Sequence, residues 1–199
     1  MAQFRTEPVI RKSLRRSDHE YDRSNVYFIT IRTFESARLL GEITEDGLHV
    51  FESGMMVRQE WMAVSHRFAG VEPGLLVVMP DHVHGVLVID AKDGQRQALR
   101  PTLNSDDVSG NHDTPGGSAN ISLPRVIQAF KSLTTRQYMA GVRELGWPEF
   151  NGKLWQRNYY ERIVRSQTEL DAIVEYIRQN PQRLWESVYV SSKGDHCLE

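Results

Sequence analysis

The sequence predicts an α+β fold, an antiparallel sheet with helices packed on it, and three stretches carry that prediction. Val26–Thr33 (VYFITIRT) is rich in β-branched and aromatic residues, as a strand is. Leu75–Asp90 (LLVVMPDHVHGVLVID) holds two apolar runs parted by Met79-Pro80-Asp81, the pattern of neighbouring strands joined by a turn. Between them Val57, Trp61, Val64 and Phe68 recur at helical spacing from Ser53 onward, with Arg58, Glu60 and Arg67 interspersed. A strand–helix–strand–strand order followed by more helices suits helices lying against one face of a sheet.

The 199 residues suffice for one domain with a sizeable core. Lys and Arg number 24 against 26 Asp and Glu, a net charge of -2. The basic footprint of a protein that coats nucleic acid without selectivity is therefore missing, although positive charge confined to one site remains compatible. The single cysteine, Cys197, excludes an intrachain disulfide framework and fits a reducing compartment. With no secretory segment at the start and no apolar run of spanning length, the chain reads as cytoplasmic with no membrane partner.

In chain order, residues 1–20 read as a polar basic arm carrying Arg11, Lys12, Arg15 and Arg16. Such a run is either a solvated terminus or an arm that meets phosphates. Residues 21–190 read as one domain. After the first strand, Arg38–Ile43 suits a short second strand before the turn-like Glu45-Asp46-Gly47, and Gly70 suits the end of the following helix. Residues 91–120, dominated by Asp, Gly, Asn, Ser and Pro, read as a flexible polar loop. Ser122 and Pro124 mark a helix start, and Ile127, Phe130 and Leu133 carry that helix to about Tyr138. Arg125, Lys131 and Arg136 decorate it. Trp147–Tyr160 interleaves aromatics with Arg157, and Arg162 and Arg165 follow. Such a segment either stacks bases and meets phosphates or anchors the core, and Trp155 reads as core. Thr168 suits the cap of a last helix with Leu170, Ile173, Val174 and Ile177 as its apolar stripe, closed by Asn180-Pro181. Leu184–Val190 reads as a short apolar piece returning to the sheet.

Chemistry concentrates at His82-Val83-His84. Strand side chains alternate, so the two imidazoles share a face and can share a divalent metal. The plainer reading is two half-buried histidines that hydrogen-bond locally. Tyr176 and Asn180, four apart, stand on one side of the last helix beside its apolar stripe. Taken alone they read as a packing tyrosine and a helix-end residue. Tyr159 and Tyr160 also lie near basic residues, but they precede the helix and have no polar partner at that spacing. Ser132, Thr134 and Thr135 show no triad arrangement.

The MPDHVH stretch resembles the histidine–hydrophobic–histidine motif of the HUH nucleases. Leu123–Ile127 (LPRVI), Phe130–Thr134 (FKSLT), Leu154–Arg157 (LWQR) and Glu175–Pro181 (EYIRQNP) are similar, in the same order, to segments of the REP-associated tyrosine transposases. These belong to the IS200-like single-tyrosine transposase superfamily, and the resemblance spans about Tyr21–Val190. It implies a ferredoxin-like, HUH-nuclease-type core. It places Tyr176 at the catalytic tyrosine, and His82, His84 and Asn180 at the ligands of Mg²⁺ or Mn²⁺. The implied activity is cleavage and strand transfer on single-stranded DNA through a 5′-phosphotyrosine, on palindromic or hairpin sequences. Arg11, Lys12, Arg15, Arg16, Arg125, Lys131, Arg136, Arg157, Arg162 and Arg165 are the expected DNA contacts. A replication-initiator-like HUH nickase, a DNA-binding regulator without cleavage, and a hydrolase of small phosphoesters are the competing readings. The IS200-like enzymes form dimers with composite sites, whereas the REP-associated kind can act as monomers with the tyrosine in cis. The long connection and the piece after Asn180 favour the monomer slightly over the homodimer.

Overall fold

The computed structural model describes residues 24–90 and 121–189. The basic arm with Arg11, Lys12, Arg15 and Arg16, and the 91–120 connection, lie outside the described residues. Within them, β1 (Ser24–Arg32) and β5 (His82–Asp90) form the centre of a four-stranded sheet, with β4 (Val71–Val78) and β6 (Tyr160–Val164) at its edges. The order is β4-β5-β1-β6, and every neighbouring pair is antiparallel. β2 (Gly41–Thr44) and β3 (Gly47–Val50) make a separate hairpin around Glu45-Asp46.

The helices pack on both faces of this sheet, which corrects the expectation of one covered face. On one side lie α1 (Glu52–Met62), the single turn α2 (Val64–Arg67) and α3 (Leu123–Leu145), whose Val57, Trp61, Val126, Ile127 and Phe130 meet Ile29, Ile31, Val83 and Leu87. On the other lies α4 (Gln167–Tyr189), whose Leu170, Ile173 and Ile177 meet Val26, Phe28, Val86, Val88 and Val164. The signal was present in the sequence. His82 to Ile89 is an almost unbroken apolar run, and all eight residues are buried, as in a strand covered on both faces.

Several boundaries also differ from expectation. The helix from Ser53 breaks at Ala63 into α1 and α2 and ends before Phe68. α3 runs on past Tyr138 to Leu145, where Gly146 closes it at φ 69°. That left-handed conformation is cheap only for residues without a Cβ. The cap of α4 is Ser166 and not Thr168, since Ser166 Oγ accepts from the Glu169 amide at 3.2 Å. Glu169 in turn accepts from the Arg165 amide at 2.8 Å, so a Ser-x-x-Glu pair secures the first turn. Finally, Pro181 does not close α4, and Leu184–Tyr189 continues the helix instead of returning to the sheet. Proline forfeits one backbone hydrogen bond there. Trp185 offsets part of that loss by donating its indole N–H to the Glu45 carbonyl at the β2–β3 turn, 3.1 Å away.

No described helix is long and apolar enough to cross a membrane.

Candidate active site

The hairpin between β4 and β5 places both histidines. Met79 N–H donates to the His82 carbonyl at 2.8 Å, and Leu40 N–H to the Pro80 carbonyl at 3.0 Å. Thr33, fully buried, donates its amide to the Asp81 carbonyl at 2.9 Å, and its hydroxyl lies between the carbonyls of Ala37 and Asp81 at 2.8 and 2.9 Å. Behind β5, the Trp61 indole closes on Gly85, where a Cβ would come within 2.5 Å of the ring. The strand carrying the histidines is thus fixed from the turn and from below.

His82 and His84 project to the α4 side and converge. Both are buried, their rings are 4.7 Å apart, and the two Nε2 atoms are 3.1 Å from each other. Each remaining ring nitrogen has its own partner. His82 Nδ1 is 2.6 Å from Asp81 Oδ1, and His84 Nδ1 is 2.8 Å from Thr30 Oγ1 on the neighbouring strand, where Thr30 sits directly opposite His84. Arg32, opposite His82, reaches Asp81 Oδ2 at 3.3 Å. Burial raises the Asp81 pKa, but the hydrogen bond and charge of His82, with Arg32, outweigh it and leave the carboxyl below its usual range. Burial, reinforced by the charges of His82 and Arg32, pushes His84 down to about 3, so its imidazole is neutral near pH 7.

Above the pair stands Tyr176 on α4. Its ring meets His84 edge-on with centroids 5.5 Å apart, and it meets Phe28 in the same manner at 6.2 Å. Phe28 stacks on His84 at 5.6 Å. Tyr176 remains 39% exposed, so the phenol sits at the edge of the buried pair and is open to a ligand. Asn180 lies one turn further along α4, half-buried, and makes no hydrogen bond to either imidazole. Among the described residues no three His, Cys, Asp or Glu side chains gather into a cluster. Two imidazole nitrogens aimed at one point, each ring held from behind, are nevertheless a donor set that suits a divalent ion completed by a further oxygen ligand.

The expected DNA-contacting cations scatter. Arg125 and Arg136 are exposed on α3, the layer behind the sheet. The Lys131 ammonium turns onto the carbonyls of Gln156, Arg157 and Asn158 at 2.9, 3.1 and 3.2 Å. It clamps the segment leading into β6 and lies 5.3 Å from the Tyr159 ring. Arg157 and Arg165 are exposed, and Arg162 pairs with Glu169 at 2.7 Å. Tyr160 is exposed on the edge strand, its ring 6.3 Å from Phe28. Trp155 is core, its indole N–H donating to Thr134 Oγ1 at 2.8 Å. Sequence reasoning passed over Thr30, Arg32 and Arg183. The first two are visible only through strand register. Arg183, whose guanidinium lies 5.8 Å from the Tyr176 ring, is signalled by its spacing of two helical turns from that residue.

No family model matches the chain. Among solved structures, a REP-associated tyrosine transposase bound to a REP hairpin overlays with TM-score 0.50 at 15% identity, covering 93% of this chain and 76% of that one. That likeness is one of fold. A candidate transposase from Deinococcus radiodurans R1 overlays more loosely, with TM-score 0.45 and 20% identity over 78% of this chain and 90% of that one. An uncharacterized protein of Haemophilus influenzae is 31% identical over 181 residues, 88% of this chain and 90% of that one. At that identity and coverage, this chain belongs to the same family as the Haemophilus influenzae protein.

Proposed function

We propose that the protein is a metal-dependent single-stranded DNA endonuclease and strand transferase in which Tyr176 is the nucleophile. The observation that carries this reading is the meeting of Tyr176 with His84 beside a convergent imidazole pair, three side chains supplied by two elements on one side of the sheet. The fold likeness to a REP-associated tyrosine transposase supports it, and so do the segments that resemble that family in sequence. His82 and His84 would hold Mg²⁺ or Mn²⁺, with the Asn180 amide as the third protein ligand. When bound, the ion supplies positive charge that polarises the scissile phosphate.

The chain's own groups do the rest. Phe28 and His84 fix the Tyr176 ring from two sides. The Tyr176 oxygen bonds to phosphorus, the bond from phosphorus to the 3′ oxygen breaks, and the phenol proton leaves to water. The departing 3′ oxygen takes up a proton. The products are a 5′-phosphotyrosine and a free 3′-hydroxyl, and attack by another 3′-hydroxyl reverses the step and joins strands. Arg183, beside the ring, adds positive charge on the exposed side of the tyrosine. Tyrosine and histidines meet within one chain, which supports a monomer with its nucleophile in cis.

Incubation with end-labelled hairpin DNA carrying single-stranded flanks, with and without Mn²⁺, tests this reading on a denaturing gel. With the label at the 3′ end, the expected result is a metal-dependent band of protein joined to the 5′ end of the downstream fragment. Binding without cleavage would favour a DNA-binding regulator, and cleavage without an adduct would favour a hydrolase.

A further inference from the structure

The aromatics that lead into β6 divide between two faces of the sheet. Trp155 is buried, and Tyr159 packs half-buried against the same core with the Lys131 ammonium 5.3 Å from its ring. Tyr160 turns the other way. Tyr160 lies opposite Thr30, Arg162 opposite Phe28 and Val164 opposite Val26, so these three β6 residues face the α4 side. Val164 is buried there, whereas Tyr160 is 57% exposed.

Thr30 also lies opposite His84, so Tyr160, Thr30 and His84 form one row across three strands. Two strand spacings put the Tyr160 backbone about 10 Å from that of His84. Phe28 joins the group from beneath, its ring 5.6 Å from His84, 6.2 Å from Tyr176 and 6.3 Å from Tyr160. Two exposed tyrosines therefore border the imidazole pair, and the chemistry proposed above uses only Tyr176.

A ring left mostly in water adds little to the core, because apolar area stabilises when it is buried. What it offers is an aromatic face, which is what an unpaired nucleobase stacks on. Cations border the same surface. Arg162 shares that face of β6, held by Glu169 at 2.7 Å, and Arg183 lies 5.8 Å from the Tyr176 ring. Rings beside arginines suit a single strand, whose bases lie on the rings and whose phosphates meet the cations. Bases inside a duplex are already stacked on one another and present no free face. The ring is also set in advance. Lys131 pins the carbonyls of Gln156, Arg157 and Asn158 just ahead of it, so little ordering remains to be done on binding.

We infer that Tyr160 is a substrate-positioning residue that stacks on an unpaired base beside the scissile phosphate and so lays the strand across Tyr176. This rests on the nuclease reading proposed above. The ring does the work, and the Tyr160 hydroxyl has no part in it.

The test places 2-aminopurine, a base whose fluorescence falls on stacking, at each single-stranded position of the hairpin DNA in turn. Full-length protein is added without metal, and affinity is measured in parallel. In wild type and in Tyr160→Phe the fluorescence should fall at one position, next to the phosphate that wild type cuts in Mn²⁺. Tyr160→Ala should remove that quenching and weaken binding about 10-fold, with a melting temperature near that of wild type. Ile163→Ala, which alters an exposed residue of the same strand on the opposite face, should match wild type. An abasic nucleotide at the quenched position should weaken binding to wild type and weaken Tyr160→Ala no further. Quenching that survives in Tyr160→Ala, that occurs at no position in wild type, or that lies away from the cut phosphate would overturn the inference, as would a Tyr160→Phe protein as weak as Tyr160→Ala. DNA that is bound and quenched but never cut would instead remove the nuclease reading, and the positioning role with it, while leaving the stacking.

Discussion

The ring of Tyr176 stands edge-on to the imidazole of His84, centroids 5.5 Å apart and planes inclined at 69°. The two residues come from α4 and β5, 92 positions apart in the chain, and Phe28 touches both. The proposed nucleophile and a proposed metal ligand are thus brought together by the helix layer and the sheet layer, which ties the packing of α4 to the proposed chemistry. Each consequence can be measured.

Replacing either His82 or His84 by alanine should abolish Mn²⁺ binding and cleavage while leaving affinity for hairpin DNA within about threefold, because contacts to phosphates generally dominate affinity for DNA. Calorimetry with Mn²⁺ and a DNA gel shift without metal separate the two effects. Equal loss of both would assign the histidines a structural role.

Gly85→Ala should destabilise the fold by about 1–3 kcal/mol, the usual cost of overpacking. The new methyl would lie 2.5 Å from Trp61 Cζ2 and 3.0 Å from Leu76 Cδ1, and Trp61 is itself buried with no room to retreat. Chemical denaturation checks the magnitude. Since Gly85 follows His84 directly, Mn²⁺ affinity should fall as well.

Tyr138 gives a pH signature far from the site. The ring is completely buried and its hydroxyl donates to the Pro148 carbonyl at 3.0 Å. Burial pushes its pKa up to about 12 from an ordinary 10.0. The folded protein therefore keeps this proton where the unfolded chain loses it. The corresponding stabilisation is complete below pH 10 and is lost as pH rises from 10 through 12. Melting temperatures across that range should fall for wild type and fall less steeply for Tyr138→Phe. The variant should also lose about 1 kcal/mol at pH 8 with the missing hydrogen bond.

Much of this could be read in the sequence, and the gaps have physical reasons. β1, the Pro-Asp turn and the shared face of His82 and His84 follow from local alternation and turn chemistry, which need no tertiary information. The run of α4 through Pro181 was not legible, because proline's local preference to stop a helix is overridden by contacts such as Trp185 with the distant Glu45 carbonyl. β6 was missed because it is a short edge strand with four exposed residues and carries no alternation of burial. Thr30 escaped notice since its link to His84 spans 54 positions and exists only through the β1–β5 register. Asp81 was visible as a turn former, but its role as partner of His82 depends on side-chain geometry. Lys131 looked like a surface cation, yet it spends its three donors on a backbone segment 25 to 27 residues ahead.

Because Tyr176, His82 and His84 meet within one chain, the protein should be a monomer that cleaves in cis. Light scattering over a range of concentrations should give the mass of one chain. Mixing a Tyr176→Phe protein with a His82→Ala protein should restore no cleavage. Restored activity would require sites shared between two chains and would contradict the cis arrangement.

Mapping the protein–DNA adduct decides whether Tyr176 is the residue joined to DNA. Labelled hairpin DNA with single-stranded flanks is incubated in Mn²⁺ with wild type and with Tyr159→Phe, Tyr160→Phe and Tyr176→Phe, then resolved on a denaturing gel and mapped by peptide mass. Tyr176→Phe keeps the ring that packs on Phe28 and His84 and removes only the attacking oxygen. That variant alone should show no adduct and no cleavage, with unchanged melting temperature and DNA affinity, and the wild-type adduct should lie on the peptide containing Tyr176. An adduct that persists in Tyr176→Phe, or one mapped to Tyr159 or Tyr160, would contradict it.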